Sequence, residues 1–173
     1  MIAFTSKNHL LLWIILGFSL IIGTTAHAAT GYQPGHTALE VWNAEGQANA
    51  PQWVQIWLMI MLASFALGLL FVWKRVEARW VVGGFITSIL VSGFVIPAMG
   101  LVSLSGLIAL MHLIFWSPGL YLLLKNRPFM KERSFYAVWS GLITAVILFS
   151  FIFDIRDAAI YLDHILGMGI FSA

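Results

Sequence analysis

One histidine lies inside a long apolar stretch, where an ionisable side chain is unusual. The four apolar stretches of this sequence contain no Asp, Glu, Lys or Arg, and His112 is their only ionisable residue apart from tyrosine. Burying such a group in lipid costs several kcal/mol unless it has a partner, so His112 is a candidate functional residue. Ser64, Ser88 and Thr144 are the expected partners at similar depth. Three interpretations remain open: a hydrogen-bonded packing residue, a proton relay or ligand contact, and a haem ligand whose second axial histidine comes from another subunit.

A second group of polar residues follows the last apolar stretch. The candidate site residues of this group are Asp154, Arg156, Asp157, Asp163 and His164. At the α-helical period the last four fall within one arc of about 120°, which predicts an amphipathic helix at the membrane surface. This acidic face either fixes the end of the helix bundle or, together with His36 and Glu40, binds a proton or a divalent cation.

The composition shows what must position these side chains. Of the 173 residues, 61% are hydrophobic and 9% are charged, whereas a soluble domain has about 25% charged residues. This excludes an ordinary soluble enzyme, a disordered chain and a nucleic-acid binder. The absence of cysteine excludes disulfides and thiolate metal sites. The chain is therefore an integral membrane protein with the lipid bilayer as its first partner.

Four apolar stretches predict an all-α, polytopic membrane protein with a bundle of four transmembrane helices. They cover residues 53–73, 80–98, 101–124 and 135–153, and each is long enough to cross the roughly 30 Å hydrocarbon core. Pro118 is expected to kink the third span, which either opens a small cavity beside His112 or only bends the helix around its neighbours. Residues 53–153 thus form the transmembrane domain, followed by the amphipathic segment 154–173.

Positive charges and the N-terminus predict the orientation. Two short loops carry seven basic residues: Lys74, Arg75, Arg79, Lys125, Arg127, Lys131 and Arg133. The positive-inside rule places both loops in the cytoplasm. Residues 1–28, with Lys7, an apolar run and an Ala-His-Ala site ending at Ala28, predict a cleavable signal peptide; an uncleaved anchor over residues 2–24 is the alternative. We therefore expect a bacterial inner membrane protein with periplasmic N- and C-termini.

The segment 29–52 is the longest polar stretch after the predicted signal peptide. Thr37 and Glu40 have the spacing of a capping box, which predicts a short surface helix over residues 38–45. Small residues at helical spacing, such as Ser64 with Gly68, predict close helix packing within the bundle or at a subunit interface.

No sequence motif indicates catalysis. The sequence contains no phosphate-binding loop, nucleophile elbow or H-E-x-x-H pattern, so we expect neither an enzyme nor a bound cofactor. The leading hypothesis is a non-catalytic accessory or assembly subunit of a larger membrane complex, with partner membrane subunits or further copies of itself. The alternative is a transport or sensing module that binds a proton, metal ion or small ligand through His112 and the acidic face.

Overall fold

The computed structural model describes residues 32–171, and this part of the chain is helical with no strands. The helices are α1 (Ala44–Asn49), α2 (Gln52–Gly68), α3 (Val76–Leu90), α4 (Ile96–Ala98), α5 (Ser105–Asn126), α6 (Pro128–Lys131) and α7 (Phe135–Leu166), with a π-helical turn, Val91–Val95, between α3 and α4. The predicted signal peptide lies outside the described residues.

Three helical segments of the described chain are long and apolar enough to cross a membrane. They are Val76–Ala98, Ser105–Lys131 and Phe135–Leu166. The first predicted span contains the apolar helix α2, which has 17 residues and ends at Gly68. The all-helical class is confirmed, and three helices have the length and apolar composition that a span requires, while the count of four spans stays a prediction.

Aromatic side chains form the larger core between α2, α3, α5 and α7. Phe65, Trp116 and Trp139 are almost completely buried there. The Trp139 indole N–H donates to the Ser64 carbonyl at 2.9 Å, which ties α7 to α2. A smaller cluster around Met111 and Tyr161 joins α5 to α7. Each helix is therefore positioned by side chains on two or more of its neighbours.

Glycine permits the close approach of α3 and α5. A Cβ at Gly84 would overlap the Phe115 carbonyl, and one at Gly119 would lie 2.7 Å from Val81 Cγ2. By contrast, a Cβ at Gly83 would meet nothing within 4 Å. The small residues at Gly84 and Ser88 therefore serve packing within the bundle, one of the two predicted uses.

The predicted helix over residues 38–45 is wrong. The Glu40 carboxylate accepts the Thr37 backbone N–H at 3.2 Å, as a capping box requires, but only a turn follows. The Glu40 carbonyl instead accepts the backbone N–H of Ser105 at 2.9 Å. In a helix over residues 38–45 the same carbonyl would bond within the helix, so the two arrangements compete. The helix begins at Ala44, after Asn43, whose side chain caps the first turn.

The C-terminal amphipathic segment is not a separate helix. Helix α7 runs without interruption over 32 residues from Phe135 and ends where Gly167 adopts φ 63°. This left-handed conformation favours glycine and stops the helix. Asp154 therefore lies within the longest helix of the bundle, one residue beyond the predicted end of the last span.

Candidate functional site

A cavity of about 850 Å³ lies between the helices at one end of the bundle. Its walls come from α2, α3, the π-helical turn, α5 and α7, and residues 36–47 line it on the side of the N-terminal segment. Segment 32–50 is held there by backbone hydrogen bonds, including Gly106 N–H to the Ala38 carbonyl at 2.8 Å. The basic loops meet at the opposite end, where Arg75 contacts Glu132.

The cavity wall is mainly apolar and aromatic. Its large apolar side chains include Trp42, Trp53, Trp57, Met61, Phe85 and Phe153. Trp57 packs on Phe149 with ring centroids 4.4 Å apart, and Phe85 stacks on Phe65 at 4.2 Å. These ring contacts hold the wall in place from behind.

His112 and Asp154 form a pair on this wall. His112 Nδ1 lies 3.4 Å from Asp154 Oδ1, within hydrogen-bonding geometry, and 3.3 Å from Oδ2. Both side chains are largely buried, with 18% of His112 and 13% of Asp154 exposed. Asp154 Oδ2 is buried and makes no hydrogen bond with any described residue. This oxygen thus lacks a formed hydrogen bond, and the nearest donor is His112 Nδ1.

Trp116 positions the imidazole. The His112 ring stacks on the Trp116 ring, with centroids 3.9 Å apart and planes at 19°. The Trp116 indole N–H donates to Ser88 Oγ at 3.3 Å, and Trp116 is fully buried. Since Ser88 lies on α3, Trp116 on α5 and Asp154 on α7, three helices together determine where the histidine lies.

The predicted hydroxyl partners of His112 bond elsewhere. Ser64 donates to the Ile60 carbonyl at 2.7 Å and Thr144 to the Ser140 carbonyl at 2.6 Å. Ser88 donates to a backbone carbonyl of its own helix. These are the usual back-bonds of hydroxyl side chains in helices. Asp154 is not an expected partner from the sequence, because it follows the end of the last predicted span.

The structure divides the polar residues of the C-terminal segment. Arg156 and Asp157 line the cavity with the His112–Asp154 pair, and Arg156 Nη1 lies 3.8 Å from Asp157 Oδ1. Asp163 is buried away from it and accepts the backbone N–H groups of Ile170 and Phe171, each at 2.9 Å.

His164 also lies away from the cavity wall. Its Nε2 is 2.6 Å from the Tyr32 hydroxyl, which fastens the N-terminal segment to α7. Four of the six candidate residues therefore share one site. The other two hold neighbouring segments in place: His164 contacts Tyr32, and Asp163 binds residues 170–171.

Metal binding requires several ligands close together. Within residues 32–171, no three His, Asp or Glu side chains come close enough to hold an ion. His36 lines the cavity, but Glu40 is engaged by the Thr37 backbone N–H. This hydrogen bond lowers the pKa of Glu40 because it favours the ionised carboxylate.

Serine hydroxyls complete the polar part of the wall. Ser92 donates to the Ser88 carbonyl at 2.8 Å, Ser103 to the Ser92 carbonyl at 2.6 Å, and Ser105 to the Glu40 carbonyl at 3.2 Å. Ser92 belongs to the π-helical turn, a feature often found at functional sites. Each hydroxyl hydrogen thus bonds to a carbonyl, and the lone pairs of the hydroxyl oxygens can still accept a hydrogen bond.

A polar cluster at the opposite end holds α3, α5 and α7 together. Glu77 accepts Asn126 Nδ2 at 2.6 Å and the Tyr136 hydroxyl at 3.0 Å. Both Arg75 guanidinium nitrogens, Nη1 and Nη2, bind the Glu132 carboxylate at 2.7 Å. These hydrogen bonds satisfy the polar side chains of the cluster, so we assign it a structural role.

The cavity site combines a histidine, a carboxylate with one free oxygen, serine lone pairs and aromatic walls. This arrangement can bind a small molecule or transfer a proton, and it includes no group of metal ligands in the described chain. Comparison with protein-family models, curated proteins and solved structures finds no match to this chain.

Proposed function

We propose that this protein is a membrane-embedded binding module, for transport or sensing, whose cavity takes up a small ligand or a proton. The observation that carries the proposal is the His112–Asp154 pair on the wall of an 850 Å³ cavity. Ligand sites are typically apolar cavities of about 300–1,000 Å³ with a few converging polar groups. This cavity has that composition and size.

The pair suits reversible binding. With neutral His112, the Nδ1–H donates to Asp154 and Nε2 remains an acceptor. When His112 takes up a proton, the two groups become an ion pair at 3.3 Å. In the neutral state, the Nε2 lone pair and the carboxylate can both accept a hydrogen bond from a ligand.

Filling the cavity tests this function. Gly93 lines the cavity, and a Cβ added there would meet nothing within 4 Å, so Gly93→Leu should fold and occupy cavity space. Gly83→Leu is the matched control, because Gly83 has the same free space but lies outside the cavity lining.

The probe is the uncharged compound 1-adamantanol, titrated calorimetrically into the protein in detergent. We expect saturable binding to the wild type and to Gly83→Leu, and weaker binding to Gly93→Leu. No saturable binding to the wild type, or equal binding to both variants, would reject the cavity as a ligand site.

We propose α2 as a fourth span. In support, α2 and the turn that follows it run alongside α7 in the opposite direction: Trp53 contacts Phe153 at 6.0 Å between ring centroids, and Phe71, in the turn, contacts Phe135 at 5.7 Å. Helix α2 together with residues 69–71 thus covers the depth of α7 residues 135–153. Four crossings and the positive-inside rule both favour a bacterial inner membrane protein, made with a signal peptide, whose N- and C-termini are periplasmic.

The natural absence of cysteine allows a direct test of this topology. Glu45 and Arg133 are exposed at opposite ends, so each is replaced by cysteine in turn. A membrane-impermeant maleimide should label Glu45→Cys in intact cells and Arg133→Cys only after lysis. Labelling of Arg133→Cys in intact cells would contradict the orientation.

An accessory or assembly role is a second proposal. In support, the most apolar window of Val76–Ala98 has only 22% of its residues buried within the chain, which leaves an apolar face for lipid or for partner helices. Extraction in mild detergent followed by mass analysis tests this role. Recovery with partner subunits would favour it, and recovery as a lone monomer or homodimer would count against it.

A further inference from the structure

We infer that the ligand of this cavity is an organic ammonium ion with an apolar body, whose N–H groups donate to the Asp154 carboxylate. The inference rests on the proposed binding function and specifies the ligand class. Its starting point is Asp154 Oδ2, which is buried on the cavity wall and has no hydrogen-bond partner among the described residues. A buried carboxylate oxygen without a donor is costly, and a ligand donor would satisfy it.

The serine hydroxyls of the wall favour a ligand that donates. Ser92, Ser103 and Ser105 line the cavity, and each hydroxyl donates to a backbone carbonyl. These hydroxyls therefore offer lone pairs to a ligand, and they add to the acceptor capacity of Asp154. An ammonium group has donors only, so it is complementary to these acceptors.

The charges on the wall favour a cation. The charged residues of the lining are Asp154, Asp157 and Arg156, which carry two negative charges and one positive charge. The Arg156 side chain is 77% exposed and lies beside Asp157, whereas the Asp154 side chain is 13% exposed. The buried negative charge is thus balanced only when His112 is protonated or a cation binds.

The apolar part of the wall favours an ammonium ion that carries a hydrophobic group. Trp53, Trp57 and Phe85 line the cavity, and aromatic faces attract organic cations as well as apolar surface. A small hydrated inorganic cation would gain little from these walls. An alkylammonium ion gains from both the carboxylate and the rings.

Three probes with one apolar body test the ligand class on the wild-type protein. They are 1-adamantanamine, 1-adamantanol and 1-adamantanecarboxylate, titrated at pH 7.5 in detergent. We expect the amine to bind about tenfold or more tightly than the alcohol, as a charge-assisted hydrogen bond of at least about 1.4 kcal/mol implies, and the carboxylate to bind weakest. Equal affinities for amine and alcohol would overturn the ammonium inference but leave the binding function intact. Absence of saturable binding by all three probes would contradict both the ammonium inference and the proposed binding function.

Variants then test the assigned residues. Asp154→Asn should abolish the preference for the amine, while Glu132→Gln, the same type of change at the opposite end, should keep it. An Asp154→Asn variant that keeps the preference, or a Glu132→Gln variant that loses it, would overturn the assignment to Asp154.

Discussion

The His112–Asp154 pair should contribute measurably to the stability of the bundle. His112→Leu removes the only hydrogen bond that a described residue makes to the Asp154 side chain, which is 13% exposed. Leaving a buried polar group without a partner costs about 1–3 kcal/mol. The Nδ1–Oδ1 distance of 3.4 Å is long for a hydrogen bond, so we expect a loss of about 1–2 kcal/mol, in the lower part of that range.

A double-mutant cycle separates this pair from other effects of the substitution. The free energy of unfolding is measured for the wild type, His112→Leu, Asp154→Leu and the double variant, by circular dichroism in mixed micelles with increasing denaturing detergent. The double variant buries neither polar group, so its loss should be smaller than the sum of the single losses by about 1 kcal/mol. His112→Gln, which can still donate an N–H to Asp154, should lose less than His112→Leu.

Additivity of the two single losses within about 0.5 kcal/mol would refute the reasoning. It would mean that the two side chains lie close together without stabilising each other. A coupling of the expected size together with normal stability of His112→Gln would show that a hydrogen-bond donor at this position is what matters for folding.

Further predictions concern the polar cluster around Glu77, the close contact between α3 and α5, and the turn at Glu40. Glu77→Ala leaves the buried Tyr136 hydroxyl and the partly buried Asn126 amide without their acceptor and should cost about 2–3 kcal/mol in unfolding free energy. Glu77→Gln keeps an acceptor and should cost less than half of that; equal losses would contradict the role of the hydrogen bonds. Gly84→Leu should prevent folding because its side chain would overlap the backbone of α5, while Gly83→Leu should fold normally, as judged by size-exclusion chromatography. The Thr37 N–H lowers the folded-state pKa of Glu40, so its contribution to stability is present above the unfolded pKa and is lost as the pH falls through the folded value. Melting curves of Glu40→Gln should therefore depend less on pH below about 4.5 than those of the wild type.

The sequence alone determined that the described chain is helical and where its long apolar helices approximately lie. Low charge content and long apolar runs predict membrane helices because only helices satisfy every backbone group in lipid without a closed sheet. The third and fourth apolar stretches correspond to α5 and to the first part of α7. Lys125 follows the third stretch, and the fourth lies between Arg133 and Asp154. His112 was identifiable from sequence because one ionisable side chain in an apolar run is conspicuous.

Tertiary structure decided which residues meet. Asp154 lies 42 positions from His112, and their pairing depends on the register in which α5 packs against α7, which periodicity does not specify. The capping pattern at Thr37 predicts a helix locally, but Ser105 takes the Glu40 carbonyl and leaves a turn. Pro118 does not line the cavity; the cavity lies between several helices and the N-terminal segment. Local sequence determines the helices, whereas the hydrogen bonds between distant segments determine the site.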